Sequence, residues 1–212
     1  MLTQSFFNRD PQLVAQQLLG KILRHNYHGI WLSAQIIETE AYYLTDKASH
    51  ASLGYTEKRK ALFMPAGTIY MYYARGGDSL NLSCAGDGNA VLLKAGLPYL
   101  NDKNPEKMLQ LMQKLNPQKN GQPRAIEKLC AGQTLLCKSL GLKVKEWDTK
   151  QFDAKKLRID DVGIQPADII QTTRLGIPLG RDEHLPYRFI SRDYAMHCTK
   201  NPIKKKLNLF RE

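Results

Sequence analysis

The chain has no run of about 18 apolar residues, so no segment of it can span a membrane as a helix. Its N-terminus, Met1 to Asp10, has neither the basic start nor the long apolar core of a signal peptide, and a cytoplasmic location is the expectation. The four cysteines, Cys84, Cys130, Cys137 and Cys198, form no Cys-x-x-Cys pair. That spacing disfavours a zinc site, and no metal or cofactor is expected. The step from Cys130 to Cys137 fits two turns of one helix, with both thiols packed as small hydrophobes. No internal repeat and no sharp composition break is visible, so one domain over 1–212 is the simplest organisation. Acidic residues are scarce: 20 Asp and Glu face 31 Lys and Arg, a net charge of +11. This excess fits a polyanionic partner, nucleic acid first, and fits a merely basic soluble surface as well; charge alone does not choose between them.

Local signals outline the elements. Asp10 reads as an N-cap and Pro11 as the first residue of a helix ended by Gly20. Leu13, Gln17 and Gly20 lie near one stripe, with Val14 and Leu18 beside it. Lys21 to Tyr27 and Ile30 to Glu40 read as a hairpin around His28-Gly29. A loop from Thr45 to Lys60 carries His50 and the run Lys58-Arg59-Lys60. Thr68 to Ala74 is a strand by β-branched and aromatic content. It is followed by the turn Arg75-Gly76-Gly77-Asp78 and the short strands Ser79–Ser83 and Ala90–Ala95. Residues 101–128 hold no aromatic and six basic residues, as a basic helical and loop insertion. Within it, Pro105 to Leu115 makes an amphipathic helix through Met108, Leu111, Met112 and Leu115. Ala125 to Leu140 is expected as a further helix, and Tyr187 to Ile190 as the last strand. The basic tail, about 199–212, is expected to be mobile.

Gln35 to Tyr42 is the stretch with chemistry in it. Glu38, Glu40 and Tyr42 alternate along a strand and share one face by parity. Two carboxylates at the end of an apolar strand need partners or a task if they are buried. Glu40 is the leading general base, with Glu38 competing; parity does not choose between them. An ion pair at the strand end is the plain alternative. Tyr70 and Tyr72 share a face of their strand, while Tyr73 and Arg75 share the other. Asn81 sits mid-strand and Lys94 interrupts an apolar strand, so both need polar partners.

These residues fall in an ordered set: Ile37-Glu38-Thr39-Glu40-Ala41-Tyr42, Met64-x-x-Gly67-Thr68-Ile69-Tyr70-Met71-Tyr72, Asn81-Leu82-Ser83, Gly86-Asp87-Gly88 and Val91-Leu92-Leu93-Lys94-Ala95. Leu129-Cys130-Ala131-Gly132-Gln133-Thr134-Leu135-Leu136-Cys137 follows, then Arg174-Leu175-Gly176-Ile177 and Pro186-Tyr187-Arg188-Phe189. The set resembles the alkyladenine (3-methyladenine, methylpurine) DNA glycosylase family. The resemblance implies an α+β fold: a single mixed domain, mainly an antiparallel curved sheet with surrounding helices and a protruding hairpin that inserts into DNA. It implies Glu40 as the water-activating acid with Glu38 supporting. Tyr42 and Tyr72 become base-stacking rings, His50 a stacking and hydrogen-bonding partner, and Tyr70 a lining residue. Asn81 would shape base selectivity, and the backbone of Ala41 would read the base edge. The hairpin tip is one residue shorter than the family's, which puts Arg75 nearest the wedge position and Tyr73 one pleat back. Lys94 stands where the family often has an Arg that helps to hold the water, and the loop before His50 is one residue shorter than the family's.

The implied activity is monofunctional excision of damaged purines in base excision repair. The partner would be double-stranded DNA containing damaged purines, acted on by a monomer without a cofactor. A noncatalytic lesion-sensing DNA-binding module is the rival from another class: it explains the charge and the aromatics but not Glu40. A hydrolase of free nucleosides is the weaker rival.

Overall fold

In the computed structural model of the protein, residues 1–74, 76–200 and 203 are described. The chain enters through α1 (Gln4–Phe7) and α2 (Pro11–Leu18). Asp10 caps α2 as its side chain type suggests: Oδ1 accepts the N–H groups of Gln12 and Leu13 at 2.9 and 3.2 Å. The buried face differs from the expected stripe. It is Pro11, Val14, Ala15 and Leu18, while Leu13 stays 40% exposed. The sheet sets that face: the hydroxyl of Thr39 donates to the carbonyl of Ala15 at 2.8 Å.

β1 (Ile22–Tyr27) and β2 (Ile30–Tyr42) form the first hairpin. Its turn residues, His28 and Gly29, both have positive φ, 49° and 84°. Two left-handed residues match the twist of the flanking strands. β3 (Ile69–Ala74) and β4 (Gly77–Ser83) form the second hairpin, in register from Ile69 opposite Leu82 to Ala74 opposite Gly77. β5 (Ala90–Pro98) then lies between β4 and β2.

α3 (Pro105–Leu115) sends Met108 and Met112 into the main core, so the basic insertion is anchored by its apolar stripe. The helix expected over 125–140 is not continuous. A 3-10 turn, Ile126–Lys128, is followed by a break at Gly132 (φ 142°) and then α4 (Gln133–Ser139). The cause is a competing bond. The carbonyl of Cys130 accepts Gly96 N–H from β5 at 3.0 Å and Gly132 N–H at 2.9 Å, and so leaves the helical path. Cys130 and Cys137 therefore do not share a helix, although both pack as buried hydrophobes. Burial pushes the Cys130 thiol up to about 12.

α5 (Val144–Trp147), β6 (Leu157–Asp160), β7 (Ile169–Thr172) and β8 (Arg188–Ser191) complete the described elements. The fold is α+β, around one eight-stranded antiparallel sheet in the order β3-β4-β5-β2-β1-β6, with β8 pairing β2 and β7 pairing β8. β2 is the spine. Its first half pairs with β1 and its second half with β8, both along one edge, while β5 runs along the other.

The β2–β5 register shifts twice. Ile36 lies opposite Gly96, Glu38 opposite Ala95 and Thr39 opposite Leu93, so Ile37 and Lys94 are left without direct partners. Such bulges re-aim side chains and are frequent beside active sites. Here the irregularity falls at Glu38 and Lys94, and regular pairing resumes with Thr39 opposite Leu93 and Glu40 opposite Leu92. Of the tail, Thr199 and Lys200 are pinned rather than mobile, because both bond to the Glu38–Arg188 pair. Lys204 to Lys206 lie outside the described residues.

Candidate active site

Glu38 and Glu40 are both 0% exposed and take different partners. Glu38 Oε1 accepts from Arg188 Nε at 2.6 Å, and its Oε2 accepts the N–H and the hydroxyl of Thr199, each at 3.0 Å. Arg188 goes on to donate to the Lys200 carbonyl at 2.9 Å. These contacts tie β2 to β8 and to the start of the tail. Glu40 is held otherwise. Its Oε2 accepts from the Tyr42 hydroxyl at 2.7 Å and its Oε1 from Leu175 N–H at 3.3 Å, with Lys94 Nζ 3.3 Å from the carboxylate. A buried carboxylate needs such hydrogen-bonding and charged partners.

Tyr42 and Lys94 both line a cavity of about 410 Å³, and Glu40 lies one hydrogen bond behind them. That volume is within the usual span of small-molecule sites, roughly 300–1,000 Å³. His50, Tyr70, Tyr72, Asn81 and Gln133 line the same space. His50 begins a 3-10 turn (His50–Leu53) capped by Ser49. Its Nδ1 is 2.8 Å from the Tyr70 hydroxyl, and its ring centroid is 4.5 Å from that of Tyr72. Burial, then the charges of Arg59 and Arg181, lowers its proton affinity, so the imidazole is neutral at pH 7. Burial also raises the Tyr70 hydroxyl, which keeps its proton and can donate to Nδ1. Tyr42 is raised well above the ordinary tyrosine range by burial and then by the charge of Glu40. It is therefore the donor to Glu40. Asn81 finds its partner in the Tyr70 carbonyl, to which Nδ2 donates at 3.2 Å.

The profile of the methylpurine-DNA glycosylase family matches residues 5–195. A candidate 3-methyladenine DNA glycosylase of Pseudomonas aeruginosa is 61% identical over 96% of this chain and 85% of its own length. One from Pseudomonas savastanoi is 59% identical over 96% and 92%. A more distant one, from Koribacter versatilis, is 32% identical over 89% and 88%. The chain belongs to the methylpurine-DNA glycosylase family. It is thereby a hydrolase acting on N-glycosyl bonds, with DNA as its partner and DNA repair as its setting.

In this glycosylase the geometry brings together Glu40, Tyr42, His50, Tyr70, Tyr72, Asn81 and Lys94. It leaves out Ala41. Its N–H donates to the Tyr187 carbonyl at 2.8 Å, its own carbonyl accepts from Arg174 at 3.1 Å, and it does not border the cavity. Of the two wedge candidates, Tyr73 is 69% exposed at the end of β3, and Arg75 lies outside the described residues.

Three residues beyond the expected set shape the site. The guanidinium of Arg174 is buried against Asp46 and lies over the Tyr42 ring, 4.6 Å from its centroid, with Tyr187 at 5.3 Å. It backs one stacking ring and immediately precedes Leu175, which bonds Glu40. Gln133 Nε2 donates to Ser79 Oγ at 2.8 Å and reaches the Tyr72 hydroxyl at 3.4 Å. Gln133 lies inside the Leu129–Cys137 segment that carries the family resemblance, and no reading of that segment singled it out. Asp46, the counter-ion of Arg174, had no local signal.

Proposed function

We propose that this protein flips alkylated or deaminated purines, such as 3-methyladenine, out of duplex DNA and hydrolyses their N-glycosidic bond with a water activated by Glu40. The observation that carries this reading is the placement of Glu40. It is a fully buried carboxylate directly behind Tyr42 and Lys94, which line an aromatic-walled cavity.

The extruded purine enters between Tyr42, His50 and Tyr72. A methylated purine is cationic, and electron-rich rings favour it through a cation–π term. A neutral His50 does not oppose that charge, whereas an imidazolium would. Cleavage passes through an oxocarbenium-like state, as in O-glycoside hydrolysis. The Glu40 carboxylate takes the proton of the attacking water, and its charge stabilises the developing sugar cation. The Lys94 side chain and the Leu175 N–H hold that carboxylate in position. A charged methylpurine needs little acid help to leave. The reaction forms no Schiff base, so the strand is left abasic and uncleaved.

Incubation with an alkylated duplex tests this reading. Free methylpurine and an intact abasic strand are expected. Binding without base release would leave the lesion-sensing module as the better account.

A further inference from the structure

The most exposed large apolar side chain among the described residues is not on the β3–β4 hairpin. It is Leu179, 89% exposed. It sits on a turn in which Arg181 N–H bonds the Pro178 carbonyl at 3.2 Å and Gly180 takes a φ of 78°. A positive φ at the third position is the mark of a type II turn, with Leu179 at its outer corner.

The turn is pinned. Glu183 accepts Gly180 N–H at 2.8 Å, Asp182 accepts Lys47 N–H at 2.8 Å, and Arg181 Nε donates to the Lys47 carbonyl at 2.9 Å. Nothing in a turn of this kind requires a leucine at its corner, where polar residues serve as well. A single exposed leucine is ordinary on any surface. Its surroundings are not. Ile177, Pro178 and Arg181 line the cavity that holds the base site, so Leu179 stands at the rim of that cavity. Leu53, 63% exposed, stands at the same rim, and Tyr73 follows the lining residue Tyr72 on the hairpin. Of these three segments, those of Leu53 and Leu179 present an apolar side chain around one opening, while Tyr73 lies on the opposite face of β3 from Tyr72. Arginines brace two of them: Arg59 donates to the Leu53 and Gly54 carbonyls at 3.1 and 2.7 Å, as Arg181 does to Lys47.

We propose that Leu179 is a second apolar wedge, on a segment separate from the hairpin, that enters the duplex beside the extruded nucleotide. This rests on the base-excision reading above. Apolar side chains inserted between base steps stabilise unstacked DNA, and the basic rim suits the flanking phosphates. The partner is duplex DNA distorted at a lesion. A protein partner at this turn is the alternative that the test separates.

The test compares the full chain with Leu179→Ala and Leu179→Met. The readout is fluorescence of 2-aminopurine placed next to a lesion in duplex DNA, which reports unstacking whether or not the base is later released. The same lesion in a single strand is the control. Leu179→Ala is expected to weaken the duplex unstacking signal roughly tenfold and to leave single-strand binding unchanged, with Leu179→Met near the parent. Equal signals for Leu179→Ala and the parent on duplex, or equal losses on both substrates, overturn the proposal. Because the side chain is exposed, the thermal midpoint should not move, and misfolding cannot mimic the result. Base release by the parent is read separately, so failure of the excision reading is distinguishable from failure of the wedge.

Discussion

Glu38 and Glu40 are two residues apart on one strand and equally buried, yet they sit among different partners, and the proposed function gives them opposite tasks. Glu38 is closed in by groups that hold structure. Arg188 is 2% exposed and ties the strand to the C-terminal segment through Lys200. Glu40 is closed in by groups that themselves border a cavity. Tyr42 and Lys94 can exchange contacts with a ligand or water there, and Leu175 belongs to the rim segment. Burial alone therefore does not mark a functional acid. What marks it is whether its partners face a space that a substrate can enter.

The comparison can be broken first on stability. Glu38→Gln leaves the Arg188 guanidinium buried without a counter-charge and is expected to cost about 3–5 kcal/mol by denaturant unfolding. Glu40→Gln should cost clearly less, because Lys94 borders the cavity and water can solvate its ammonium. Equal losses would mean that both acids serve the fold.

Next in size is the stacking ring. Tyr42→Ala should weaken binding of an extruded base by about 1–3 kcal/mol, measured with an abasic duplex as the reference. The same loss on the abasic duplex would show that the ring acts on the fold rather than on the base. Lys94→Arg should keep activity within roughly tenfold of the parent, because the charge on Glu40 is preserved and only the point donor becomes a fork. Lys94→Met should lose considerably more. If both substitutions were silent, Lys94 would have no part in holding Glu40.

The smallest effect is on pH dependence. Burial lowers the proton affinity of both His25 and His50 below the ordinary value of 6.5. The unfolded chain then binds more protons than the folded one below that value, so stability is full above it and falls as pH drops through the folded values. Thermal midpoints should decline on acidification below about pH 6.5, and His25→Gln should flatten the decline. A midpoint that rises on acidification would contradict this.

Parts of the fold and one contact of the candidate site were legible because their signals are local, while the rest of the candidate site was named through the family resemblance. The Asp10-Pro11 start, the His28-Gly29 turn and the shared face of Glu40 and Tyr42 all follow from neighbours within a few residues. The hydrogen bond from Tyr42 to Glu40 is that parity made visible. What was not legible depends on distant parts of the chain. Arg174 meets Asp46 and Ala41 across more than a hundred residues, and no periodicity carries such a contact. The break at Gly132 depends on a bond from the sheet at Gly96. The same distance dependence separates Glu38 from Glu40: parity put them on one face, but Arg188 holds Glu38 while the cavity-lining Tyr42, Lys94 and Leu175 hold Glu40.

The most direct measurement is single-turnover release of 3-methyladenine from duplex DNA by Glu40→Gln, beside the parent and a Glu38→Gln variant assayed while folded. Loss of about 10²–10⁴ in the excision rate is expected for Glu40→Gln, with duplex binding kept, and folded Glu38→Gln should stay near the parent. A Glu40→Gln variant that excises at the parent rate, or a folded Glu38→Gln that falls as far, would contradict the account.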